Sequence, residues 1–299
     1  MNKNLKIGIV GGDQRMVKVA TVLQNYGYDV GVWGIDDKYF DVNLCKNSCD
    51  EAVSQADVVI LPTPPSEDEV RVNCPLFSQE SGIKFHKLLE LLPPKAIILG
   101  GRMSPRLKDI ATKHNFKTVD YFNREELLVK NAVPTAEAAI GIAIDKLPIT
   151  IFDANVAILG FGRIGEALAF RLNLLGANVT VYARKNPSIS KAQSYGMNGR
   201  KISFSNNGNT LCELSCGYDI IYNTVPYWII TEDILKNISK STLIVDLASA
   251  PGGVDIVAAK KYGANVIHAL SLPAKTAPES AGMIIAESIV NIIEEEISI

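Results

Sequence analysis

The sequence predicts an α/β chain of two consecutive domains, each built on a doubly wound parallel sheet, with a cleft between them. Three observations carry that prediction. Short apolar runs alternate with segments of helical period along the chain. The alternation breaks once, at an alanine-rich stretch near the middle, and then restarts. The second series opens on a Gly-x-Gly-x-x-Gly turn between an apolar run and an apolar-periodic helix.

Each element has its own signal. Lys6 to Val10 (KIGIV) reads as a strand ending in Gly11-Gly12. A helix over Met16 to Tyr26 follows from Met16, Val19, Ala20 and Leu23 at helical spacing. Further strands are read at Asp29 to Trp33, Asp57 to Leu61 (stopped by Pro62), Ala96 to Leu99 and Lys117 to Tyr121. Pro134 to Leu147 is a good helix former, with Pro134 suited to the first turn and Pro148 as the stop. The rhythm resumes with strands at Asn155 to Leu159, Asn178 to Ala183, Asp219 to Val225, Thr242 to Leu247 and Asn265 to Ala269. Continuous apolar runs of this kind fit parallel strands buried on both faces. The expected organisation is Rossmann-like throughout: a domain over 1–133, an interdomain helix over 134–148, and a second domain over 149–277. A final helix from about Pro278 to Ile297, with no strand after it, is expected to pack back on the first domain, by analogy with two-domain dehydrogenases.

Composition bounds the function. The chain has 299 residues, 30 Lys+Arg against 32 Asp+Glu, 47% hydrophobic residues and 21% charged ones. That length suits two domains, and the balance is that of a packed protein. The interspersed, nearly cancelling charge argues against a nucleic-acid binder. No run of about 20 apolar residues marks a membrane span, and the N-terminus has no signal-peptide core, so a cytoplasmic location is expected. Five cysteines, in two CxxxC pairs (Cys45/Cys49 and Cys212/Cys216) plus Cys74, read as free thiols. With His86, His114 and His268 scattered, no metal site is expected.

The strongest motif is Asn155-Val-Ala-Ile-Leu-Gly160-Phe-Gly162-Arg163-Ile164-Gly165. Gly160 permits the tight turn, Gly162 lets the backbone approach a pyrophosphate, and Gly165 lets helix and strand pack closely. The helix N-terminus supplies N–H donors and positive partial charge. About 20 residues on, an NAD site usually carries Asp or Glu for the ribose 2′-hydroxyl. Here the strand ends Ala183-Arg184-Lys185, two cations and no carboxylate. That suits a 2′-phosphate and favours NADP over NAD. Two further strand ends are expected on the nicotinamide side: Asn223-Thr224-Val225-Pro226, and Asp246-Leu247-Ala248 leading into Pro251-Gly252-Gly253.

The first domain ends its strands differently. Gly11-Gly12-Asp13-Gln14-Arg15 lacks the dinucleotide spacing and suits a carboxylate substrate instead. With Leu61-Pro62-Thr63-Pro64-Pro65 and Gly100-Gly101-Arg102-Met103-Ser104 it forms three loops expected to face the cleft. Arg15, Thr63, Arg102 and Ser104 are therefore candidate substrate contacts, with Lys275 after the last strand as another charged group at that mouth. Neither the GxSxG nucleophile elbow nor the GxxxxGK[ST] phosphate loop is present.

Taken together, several segments resemble the family of dipicolinate synthase A subunits, sporulation proteins of endospore-forming bacteria. They are Gly11 to Arg15, Ile60-Leu61-Pro62, Val133-Pro134-Thr135-Ala136-Glu137, Leu159 to Gly165, Asp246 to Ser249 with Pro251-Gly252-Gly253, and Leu272-Pro273 with Ala277-Pro278 and Ala281-Gly282. The resemblance spans nearly the whole chain in order. More distantly, the Asp-Leu-Ala-Ser and Leu-Pro segments are similar to alanine dehydrogenase and transhydrogenase domains. Arg102 and Pro64-Pro65 stand outside the family's recurring pattern and rest on strand-end geometry alone. The resemblance implies oxidation of a dihydrodipicolinate-type dicarboxylate of the lysine pathway to dipicolinate, in the mother cell, together with a smaller flavoprotein-like B subunit. Loss of a ring proton would need a base, for which Glu137, His268 and Asp13 are candidates. Two other readings stay open: a non-catalytic nucleotide-binding protein that positions the B subunit, and an amino- or hydroxy-acid dehydrogenase of related fold. A homo-oligomer is compatible with the sequence, which does not determine the state.

Overall fold

The structure is a computed structural model that describes residues 5–79, 81–202, 214–215 and 217–296. It divides into two compact units, 1–131 with 273–299, and 132–272.

In the first unit, β1 (Lys6–Val10), α1 (Gln14–Asn25), β2 (Asp29–Trp33), α2 (Cys49–Val53), β3 (Val58–Ile60), α3 (Phe85–Leu91), β4 (Ile97–Gly100), α4 (Pro105–Lys113) and β5 (Lys117–Asp120) follow one another. The strands form one parallel sheet of order β2-β1-β3-β4-β5. Alternate residues feed two cores, as strands buried on both faces require. Ile7, Ile9, Val58 and Ile60 lie in one, and Val10, Val59, Leu61 and Ile98 in the other.

Next comes α5 (Glu125–Lys146), followed by β6 (Asn155–Leu159), α6 (Arg163–Leu174), β7 (Asn178–Ala183), α7 (Asn186–Ser194) and β8 (Asn198–Lys201). Then come β9 (Ile220–Asn223), α8 (Glu232–Leu235), β10 (Leu243–Asp246), α9 (Ile256–Tyr262), β11 (Asn265–His268), α10 (Leu272–Thr276) and α11 (Pro278–Glu296). The second sheet is parallel with order β11-β10-β9-β6-β7-β8. Counted within this unit, that is the dinucleotide-binding order, with its switch point between β6 and β9.

Two elements differ from the sequence reading. The middle helix starts nine residues earlier than Pro134, at Glu125, and Pro134 lies inside it. An internal proline removes one rung and costs about 3 kcal/mol. Tertiary burial outweighs that cost: Leu127 is in the first unit's core, and Ala136, Ala139, Ile140 and Ala143 are in the second's. This helix is long and apolar enough to cross a membrane by length and composition, contrary to the expectation that no segment is, with 44% of its most apolar window buried. The second difference is β8, whose sequence Asn-Gly-Arg-Lys has no apolar run. It is an edge strand held by pairing with β7 through Thr180↔Asn198 to Ala183↔Lys201. Cys45, Cys49 and Cys74 are free thiols, and burial pushes each up to about 12. Cys212 and Cys216 lie outside the described residues.

The last helix, α11, lies along α1. Gly282 makes the crossing close: a β-carbon there would stand 2.5 Å from Lys18 Cβ and 2.6 Å from the Arg15 carbonyl oxygen. Lys18 pairs with Glu279 at 2.8 Å on the same seam. Gly282→Val is expected to destabilise the first unit by about 2 kcal/mol, within the range for overpacking. Thermal unfolding should register a drop of about 5 °C, whereas an unchanged midpoint would mean the crossing is looser than described.

Candidate functional site

The switch point of the second sheet lies where β6 and β9 end. Thr224 donates its backbone N–H and its hydroxyl to the Leu159 carbonyl at 2.9 Å each, closing the two strand ends together. Gly160, at φ +94°, turns the chain, and a β-carbon there would collide with Thr224 Oγ1. One at Gly165 would collide with the Gly160 carbonyl oxygen. Gly162 is different. Its backbone is extended, at φ −90° and ψ −165°, and a β-carbon would meet nothing within 4 Å. The contacts within the chain thus give no steric reason for glycine at 162. Gly162 also caps α6 without any side-chain bond, and a helix N-terminus of this kind suits an anion.

A cavity of about 610 Å³ opens there. Gly160 and Gly162 line it on one side, Val225 and Pro226 on another, and Ala183, Arg184 and Lys185 at the end of β7. Arg184 and Lys185 are exposed. No acidic residue is among the lining residues. Phe161, Tyr182, Ser188, Ile202 and Tyr227 also line it, and sequence reasoning did not select them. Ser188 had a signal, since Pro187 stands in the first turn of α7, two residues after Lys185. Tyr227 had one too, as an aromatic after Pro226, and it is 65% exposed. Ile202 had none, because it follows the strand that carries no pattern. These residues fit a nicotinamide dinucleotide.

Behind the cavity runs a cross-strand row, Asn223, Asp246 and His268, in register on β9, β10 and β11. Asp246 is 1% exposed. Its carboxylate accepts from Asn223 Nδ2 at 2.8 Å, from the Ala248 N–H at 3.2 Å and from the Gly253 N–H at 3.0 Å. Asn223 Oδ1 in turn accepts from the Val225 N–H at 3.1 Å. Asp246, Leu247 and Ala248 are thus buried supports and do not line the cavity. Arg163, Ile164 and Gly165 form the first turn of α6. His268 Nε2 lies 4.0 Å from Asp246 Oδ2, with its side chain one-third exposed.

In the first unit the strand-end loops converge on themselves. Asp13 caps α1 through the Arg15 N–H and grips the Arg15 side chain at 2.7–3.1 Å. Arg15 Nη2 also donates to the Thr63 carbonyl at 2.9 Å. A β-carbon on Gly101 would sit 2.5 Å from Thr63 Cβ. The Gly12 N–H donates to the Asn73 carbonyl at 2.8 Å, and a β-carbon on Gly11 would stand 2.7 Å from Cys74 Sγ. The chain's own Asn73-Cys74 segment therefore packs against the first unit's glycine turn. Arg102 is exposed at φ +54°, its N–H on Asp120 at 2.9 Å and its guanidinium 5.0 Å from the Phe122 ring centre.

Three candidates change meaning. Ser104 Oγ accepts from the Leu107 N–H as the cap of α4, so its hydroxyl is a helix cap. Asp13 is held by Arg15 and is no isolated base. Glu137 pairs with Arg171 at 3.3 Å. Arg171 lies eight residues beyond Arg163, about 12 Å along α6 from the glycine turn, and Glu137 lines a different groove. Glu137 does not line the cavity at the glycine turn. Helical spacing showed which turn Glu137 occupies but not which neighbour that turn faces. Lys275 is exposed on α10.

Comparison with known proteins agrees with this geometry. Residues 6–122 match the family described as the N-terminal domain of the dipicolinate synthase A subunit. Residues 143–250 match the NAD-binding domain of D-isomer specific 2-hydroxyacid dehydrogenases. The chain is 32% identical to the dipicolinate synthase A subunit of Bacillus subtilis, over 99% of this chain and 98% of that one. The crystal structure of the dipicolinate synthase A subunit from Bacillus halodurans superposes with a TM-score of 0.88 at 29% identity, covering 98% of each chain. A transhydrogenase from Sinorhizobium meliloti shares the fold, with a TM-score of 0.67 at 15% identity over 98% of this chain and 94% of that one.

Proposed function

The chain belongs to the family of dipicolinate synthase A subunits, and from that premise we propose that it is the NADP-dependent oxidoreductase that forms dipicolinate from a dihydrodipicolinate-type precursor. It works with a B subunit in the cytoplasm of the mother cell. One observation carries the choice of cofactor: the cavity at the glycine turn is closed by Arg184 and Lys185 where an NAD site places a carboxylate.

A bound nicotinamide would supply the hydride acceptor for the two-electron oxidation, and the ring proton released with the hydride would pass to solvent water. The chain's residues bind and orient. Gly162 admits the pyrophosphate to the end of α6, and Arg184, Lys185 and Ser188 hold the 2′-phosphate. Arg102, exposed and fixed at its backbone by Asp120, takes one substrate carboxylate. Arg15 takes the other through Nη1, which neither Asp13 nor Thr63 engages. Thr63 supports Arg15 through its carbonyl.

Fluorescence titration of the purified chain with NADPH and NADH tests this. Arg184→Ala is expected to weaken NADPH about thirtyfold, the ~2 kcal/mol of a charge-assisted contact, and to change NADH less than twofold. Equal loss for both cofactors, or none for either, overturns the NADP assignment.

A further inference from the structure

Tyr227 lines the nucleotide cavity just after Pro226, and the binding scheme above gives its ring no task. The ring is 65% exposed. The backbone on both sides of it is fixed. Before it, the Thr224 N–H donates to the Leu159 carbonyl and the Val225 N–H to Asn223 Oδ1. After it, the Ile229 and Ile230 N–H groups both donate to the Gly253 carbonyl at 3.0 Å, and both side chains are buried in the core. A firmly held segment thus presents an aromatic ring at the cavity with most of its surface uncovered.

The chemistry of the lining divides in two. Arg184, Lys185 and Ser188 bring cations and a hydroxyl from the end of β7 and the start of α7. Ile202, Val225, Pro226 and Tyr227 make an apolar part. Ile202 is fixed beside the end of β7, its N–H on the Ala183 carbonyl at 3.0 Å. In a 2′-phosphorylated dinucleotide the phosphate and the adenine leave neighbouring carbons of one ribose. A phosphate held by Arg184 and Lys185 therefore sets the base down close by, against the apolar part. There the flat face belongs to Tyr227, since Phe161 is in the glycine turn and Tyr182 is 1% exposed. An aromatic face beside an aliphatic wall suits a base, which stacks through its π surface whatever its edge carries.

We propose that Tyr227 is the adenine-stacking residue of this site, its ring on one face of the base and Ile202 against the other. This rests on the nucleotide reading above and adds the half of the cofactor that the charges do not hold. NADPH and NADH carry the same adenine, so Tyr227 contributes to the affinity for both, whereas Arg184 distinguishes them. Stacking uses the ring and not the hydroxyl.

Calorimetric titration of the full chain with NADPH and with adenosine 2′,5′-bisphosphate tests it. The bisphosphate has the adenine and the 2′-phosphate but no nicotinamide. Tyr227→Ala is expected to weaken both ligands about tenfold, in the range for one lost base–aromatic stack. Tyr227→Phe should stay within about twofold of the natural chain, because the ring face is retained. Trp228→Ala should also stay within about twofold: Trp228 is similarly exposed, at 59%, but does not line the cavity, and a single exposed aromatic needs no binding role. Without ligand, all four chains should unfold at the same temperature. Loss for NADPH without loss for the bisphosphate would put the ring on the nicotinamide half and overturn the proposal. So would a Tyr227→Ala chain of natural affinity, a Tyr227→Phe chain as weak as Tyr227→Ala, or an equal loss in Trp228→Ala. Those outcomes leave the nucleotide reading standing. A natural chain that binds neither ligand overturns that reading, and this assignment with it.

Discussion

A Gly162→Val chain should unfold at the temperature of the natural chain and bind NADPH at least a hundredfold more weakly, about 2.7 kcal/mol. The two halves of that expectation have different sources. A β-carbon at 162 meets no atom of the protein within 4 Å and needs no unusual backbone angle, so the substitution is expected to leave the folded state unstrained. It does occupy the space in which a pyrophosphate would sit against the first turn of α6. Thermal unfolding and cofactor titration of one preparation read both quantities. Gly165→Val is the contrast, because its β-carbon would collide with the Gly160 carbonyl and must therefore reduce stability as well. If Gly162→Val bound cofactor normally, the glycine turn would not be the pyrophosphate site.

Asp246→Ala should be the most destabilising polar substitution in the second unit, by about 3 kcal/mol. Its carboxylate is the common acceptor for Asn223, Ala248 and Gly253, all inside the fold. Removal leaves three donors without it, and a buried donor left unpaired costs more than an average hydrogen bond gains. The midpoint should fall by roughly 10 °C. Asp246→Asn keeps the volume and one acceptor but turns an amide N–H toward a donor, so about half of that loss is expected. Cofactor affinity should fall with it, because Asn223 holds the Val225 N–H and Val225 lines the cavity. A chain that lost neither stability nor affinity would show that the row is not what holds the strand ends.

How far the sequence reached depends on the kind of information each element needs. Most of the described strands carry apolar runs because a parallel strand covered on both faces is apolar along its length. Both strand-to-helix glycine turns were legible for the same local reason, and so was the absence of a carboxylate after β7. Other features have no local signature. Asn198 to Lys201 became a strand only because β7 offers an unpaired edge. Helix α5 continued through Pro134 because both of its halves are buried.

The roles of single polar residues were decided the same way. Asp13, Ser104 and Glu137 have the chemistry of a site, and sequence separates neither a cap nor an ion pair from a base. The sequence by itself determined the parallel sheets, the nucleotide-binding unit and its glycine turn, because period, propensity and turn chemistry act over a few residues. Only the tertiary structure decided that Asn73 and Cys74 fill the first unit's glycine turn while Gly162 opens on empty space. The same holds for Asp246 bonding from inside the fold and Glu137 lying outside the cavity at the glycine turn. Those outcomes depend on which distant segment arrives at each position, and packing settles that over the whole chain.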